Sequence, residues 1–144
     1  IWVKLGDRQP SSPMKFTIGL FFLALSFLLM VPAAKLTAHG LVSPLWIVAV
    51  FFLQTVGELC LSPVGLSTLT KLAPANLVGL VMGIWFLAAS LGNKLAGVLS
   101  GEFTATDAPA LAAFFEKQAV WVGVATVALL VIVPWVRKLM VGVR

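Results

Sequence analysis

Three runs of this chain, at about residues 14–34, 44–69 and 77–101, are apolar over the roughly 20 residues that a helix needs to cross a bilayer. A fourth runs from about Ala119 to Met140, and becomes 108–140 if Asp107 starts it at Ala108 with Pro109 in the first turn. In hydrocarbon a backbone has no water to bond, so such runs fold as helices. The composition agrees, with 60% of residues hydrophobic and 10% charged, where a soluble domain carries about 25% charge. The expected fold is an all-α membrane protein of four transmembrane helices, with residues 1–13 as a loop before them and residues 14–144 as one helical bundle.

The net charge of +5 would suggest nucleic acid in a soluble protein. Here the basic residues lie between the apolar runs, where they set orientation, so no nucleic-acid partner is expected. Lys4, Arg8, Lys15, Lys71, Arg137, Lys138 and Arg144 fall on one side of the membrane, and Lys35 and Lys117 on the other. By the positive-inside rule the first side is cytoplasmic, with the TKLAPAN turn (residues 70–76) and the C-terminus. The chain opens on Ile1 rather than Met and shows no cleavable signal pattern. It reads as the later part of a longer polypeptide, because four helices alone leave a polar face of the second without partners.

That polar face holds the chemistry. Within LWIVAVFFLQTVGELCLSPVGLSTLTKLAP (residues 45–74), Gln54, Glu58 and Ser62 recur four apart and so share one helix face. A carboxylate at mid-span costs at least ~2.5–3.5 kcal/mol on insertion scales, so such groups face a protein interior or a water-filled cavity. Pro63 and Gly65 follow. Proline removes a backbone hydrogen bond and clashes with the carbonyl four back, at Leu59, which makes a weak point beside the charge.

Glu58 lies about 20 Å from Lys71 along the helix, and Trp85 about 13 Å into the third helix from Asn76, so the two can approach one mid-membrane level. Spacing leaves Trp85 either packing a core or lining a cavity, and favours packing. Ser62 can bond its own backbone at Glu58 or touch a ligand. Lys94, about 27 Å along the third helix, can snorkel outward or pair with Glu58, and snorkelling fits its depth better. His39 reads as a solvated loop residue, and Cys60 as a small buried hydrophobe. The third helix carries Gly79, Gly83, Gly97 and Gly101 in two GxxxG pairs, a pattern for close packing, here against its neighbour across the TKLAPAN turn. No metal-ligand cluster, nucleophile pair or phosphate loop is evident, so neither an enzyme nor a bound cofactor is expected.

The run GELCLSPVGLSTLTKLAP (residues 57–74) closely resembles the signature of the tenth helix in the proton-dependent oligopeptide transporters, the POT branch of the major facilitator superfamily. PSSPMKF (residues 10–16) and MGIWFLAASLGNKLAG (residues 82–97) agree with it. The resemblance implies that these are helices nine to twelve of a twelve-helix core, in a protein that couples uptake of di- and tripeptides to protons by alternating access. It implies that Glu58 helps to bind the peptide's α-amino group, that Ser62 lies by the peptide, and that Trp85 lines the pocket. The second and third helices here would form the hairpin that closes the cytoplasmic gate, with Pro63 and Gly65 as its hinge. Protons are the coupling ion, and the partners are peptides, membrane lipid and the preceding helices of the same transporter. The location implied is a bacterial inner membrane. The family's N-terminal proton-coupling motif is absent from these residues, so proton coupling comes from the resemblance alone. Related members that carry nitrate or glucosinolate-type cargo tend to lose the glutamate kept here.

Two readings from other classes compete. One is a small four-helix multidrug or cation exporter, which would carry its glutamate on the first helix rather than the second. The other is a non-transporting membrane scaffold in which an interhelical bond holds Glu58.

Overall fold

The architecture follows from how α1 is used. In the computed structural model, which describes residues 9–101 and 107–139, α1 (Ser12–Leu36), α2 (Leu45–Leu72), α3 (Val78–Gly101) and α4 (Ala108–Leu139) succeed one another. All four are long and apolar enough to span a membrane, and no strand occurs among the described residues. Residues 1–8, 102–106 and 140–144 lie outside that description, and with them Lys4, Arg8 and Arg144 of the charge pattern. Helix α1 takes in Ser12 and Pro13, which the sequence assigns to the preceding loop; proline is at home in a first turn because its missing N–H has no intrahelical partner there.

Helix α1 is the centre of the bundle, packed along α4 on one side and α2 on the other. Its buried positions are mostly small: Ser12, Thr17, Gly19, Ala24, Ser26, Ala33 and Ala34. In lipid, helices associate by close van der Waals packing, and small side chains permit it. The closest approach to α2 is at Gly19 and Gly57. A Cβ on Gly57 would sit 2.8 Å from the Gly19 carbonyl oxygen, and one on Gly19 would sit 2.8 Å from that of Gly57. Two backbones meet there, with the Leu61 side chain packed beside Gly19.

Connections between the spans are short. Helix α1 passes into a 3-10 turn, Thr37–His39, closed by Gly40 at φ 134°. That φ belongs to the region that favours glycine. Leu45 N–H donates to Ser43 Oγ at 3.4 Å where α2 begins. Inside the helices, buried hydroxyls bond their own backbone: Thr17 donates to the Pro13 carbonyl at 3.1 Å and Ser26 to that of Leu23 at 2.7 Å.

Helix α3 departs from expectation. It contributes no buried residue, and nothing lies within 4 Å of a Cβ built on Gly79, Gly83, Gly97 or Gly101. The tight hairpin against α2 expected from its GxxxG pairs is therefore corrected. A small-residue face allows close approach without choosing the partner, and within this chain it is α1 that takes the close contact with α2.

Candidate functional site

Helix α2 runs unbroken through Pro63, so helical geometry fixes where its polar residues point. Gly57, Cys60, Val64 and Gly65 are buried, with Gly57 on the α1 side. Glu58 is one position on from Gly57, about 100° around the helix, and it is exposed. Gln54 and Ser62, one turn to either side, are half-buried at the edge of the same stripe. Pro63 is exposed.

The polar groups of this stripe are uncommitted. Thr55, Thr70 and Thr126 donate to carbonyls one turn back, at Phe51, Leu66 and Val122. Among the described residues Ser62 makes no such bond, and neither a hydrogen bond nor an ion pair engages Glu58. Lys94 is exposed on α3 and forms no ion pair with Glu58. Charge-assisted pairing is therefore open to a group that arrives from outside these four helices.

Trp85 comes to α2 lower down. Its six-membered ring lies against Gly65, and Phe16 of α1 meets it edge-on, with centroids 6.5 Å apart and planes at 84°. Gly65 is seven residues from Glu58, two turns or about 10 Å along the axis. The structure thus brings Trp85 to the Glu58–Ser62 side of α2 but two turns from the carboxylate, not to its level. The reason is steric, because Gly65 supplies a gap in the helix surface that the indole fills. Phe16 and the Gly19–Gly57 crossing were not foreseen from the sequence as parts of this region. The glycines were visible signals, since each sits in an apolar span, but their partners lie on other helices.

At the opposite end of the bundle, Lys35, Ala38, Ala108, Pro109, Ala112, Ala113 and Glu116 line an open pocket of about 290 Å³ between the end of α1 and the start of α4. It is remote from the stripe, for Lys35 lies at the far end of α1 from Phe16.

Four spans, the second with Glu58 exposed on a polar stripe, define an integral membrane protein. The chain belongs to the POT family, whose model matches residues 1–120. It is 43% identical over 144 residues to the peptide transporter YePEPT of Yersinia enterocolitica, covering 96% of this chain and 28% of that protein. It is 40% identical over 145 residues to a di-/tripeptide transporter of Lactococcus lactis, covering 100% of this chain and 29% of that one. Among solved structures it is similar to a peptide transporter POT in complex with sulfate, at TM-score 0.86 and 41% identity, covering 98% of this chain and 28% of the other. A POT family transporter in complex with a thioalcohol-conjugated peptide aligns at TM-score 0.82 and 30% identity, over 92% of this chain and 27% of the other. The chain thus spans less than a third of the length of these relatives.

Proposed function

We propose that this chain supplies helices nine to twelve of a proton-coupled di- and tripeptide transporter of the bacterial inner membrane. Glu58 binds the substrate's α-amino group, Ser62 adds a hydrogen bond one turn away, and Trp85 borders the space for the peptide. The relatives named as a peptide transporter and a di-/tripeptide transporter support the substrate class. The observation that carries the reading is the Glu58 carboxylate: mid-span, exposed on an open face, and unpaired among the described residues.

The chemistry is direct. An ammonium group facing an ionised carboxylate in an apolar cavity forms a charge-assisted hydrogen bond, and correct geometry offsets the desolvation of both. Helices α2 and α3 act as the cytoplasmic gate, swinging as a pair about the weak point at Pro63 and Gly65.

The test is Glu58→Gln in the intact transporter. Proteoliposomes with an inward proton gradient should lose most or all uptake of labelled di- and tripeptides, at wild-type amounts of folded protein. Undiminished uptake overturns the assignment.

A further inference from the structure

Trp85 is seated by a residue that has no side chain. A Cβ built on Gly65 would stand 3.0 Å from Trp85 Cζ3 and 2.9 Å from Phe16 Cζ, and would press harder still on Trp85 Cη2. The six-membered end of the indole is therefore held in a notch between α1 and α2, with Phe16 edge-on as its second wall. Beyond Trp85 every residue of α3 from Phe86 to Gly101 is exposed, so this seat is the last fixed point on that helix within the chain. Trp85 itself is only half-buried, so part of the ring stays open.

We infer that Gly65 and Phe16 are positioning residues that set the direction of the Trp85 indole and, through it, how the site discriminates among peptide side chains. The inference rests on the reading of Trp85 as a pocket residue. An indole face offers large apolar contact to a bulky apolar or aromatic side chain and little to a methyl group. Tilting the ring therefore penalises bulky peptides more than small ones. A methyl group at Gly65 forces such a tilt, because the backbone on which it stands is fixed by α1 packing and the ring must give way. Loss of the Phe16 ring removes the second wall and frees the indole to turn.

A double-mutant cycle in the full-length transporter tests this, with uptake of Ala-Ala and Ala-Phe as probes. Gly65→Ala should raise KM for Ala-Phe about tenfold and raise it far less for Ala-Ala, whereas an effect through the hinge changes kcat equally for both peptides. In a Trp85→Ala background the same change should alter KM by less than about twofold, because the ring it acts through is gone. Phe16→Leu should shift the two KM values in the same ratio as Gly65→Ala, and Phe16→Tyr, which keeps the ring, should restore it. A purely structural role lowers the amount of folded protein and leaves the ratio of the two KM values alone. If Gly65→Ala and Phe16→Leu leave that ratio unchanged while Trp85→Ala raises KM for Ala-Phe, the positioning role is overturned and Trp85 keeps its place in the pocket. If Trp85→Ala itself leaves both KM values unchanged, the pocket reading of Trp85 falls instead.

Discussion

At the scale of single residues, the hydroxyls on these helices divide into those that bond their own backbone and those that do not. Ser26 is fully buried and donates to the Leu23 carbonyl. Ser62 is half-buried and, among the described residues, donates to nothing. A buried hydroxyl that donates to its own backbone has no donor left for a substrate, whereas an unengaged one beside Glu58 has. Ser62→Ala should therefore raise the peptide KM about two- to tenfold, the worth of one ordinary hydrogen bond at ~0.5–1.5 kcal/mol, without loss of folded protein. Ser26→Ala should leave KM unchanged. Uptake kinetics in proteoliposomes check both, and an unaltered KM for Ser62→Ala removes that residue from the site. The shared face of Gln54, Glu58 and Ser62 is legible in the sequence because a helix fixes the angle between residues four apart. The seat of Trp85 is not, because it depends on where Phe16 of another helix points.

Between elements, the decisive contact is the crossing of α1 and α2 at Gly19 and Gly57. It sits one residue from Glu58, so it also fixes how far around α2 the carboxylate lies from α1. A methyl group at either glycine meets the partner's backbone oxygen at 2.8 Å, and backbone cannot swing aside as a side chain does. Gly19→Ala and Gly57→Ala should each destabilise by about 1–3 kcal/mol, the usual cost of overpacking a close contact. The double variant should cost less than the two added, since the first methyl already parts the helices. Thermal unfolding in detergent would show this, and strict additivity would mean that the two glycines do not share one contact. The existence of the helices is plain in the sequence, because length and hydropathy alone dictate it. Their pairing is hidden. Lipid tails are as apolar as the helices, so no hydrophobic stripe marks the face that meets a neighbour. The glycines of α3 illustrate this, since single glycines meet where α1 crosses α2 while the paired glycines of α3 lie open.

For the molecule as a whole, orientation is the property that joins sequence charge to the proposed cytoplasmic gate. Successive short connections make α1 antiparallel to α2, and the far end of α1 meets the start of α4 around Lys35 and Ala108. Lys15 and Lys71 come within electrostatic reach of each other at the near end, where Lys15 Nζ donates to Gln9 Oε1 at 2.9 Å. The bundle thus gathers two of the basic residues on one side, as the alternation of the spans requires, and sets Lys35 and Glu116 on the other. By the positive-inside rule the Lys15–Lys71 end is the one expected in the cytoplasm. Asn76 in the α2–α3 turn and Ala38 after α1 are exposed and mark the two ends. Cys60 is the single cysteine of this sequence and is buried, so replacing it by Ala, together with any cysteine of the preceding helices, gives a thiol-free background at little cost in packing. In that background Asn76→Cys should react with a membrane-impermeant maleimide only when the reagent is admitted to the cytoplasmic side. Ala38→Cys should react from outside intact cells. The reverse pattern would invert the bundle, place the Pro63–Gly65 end of α2 outside, and remove any cytoplasmic gate from the α2–α3 pair, while leaving Glu58 at mid-depth whichever way the helices run.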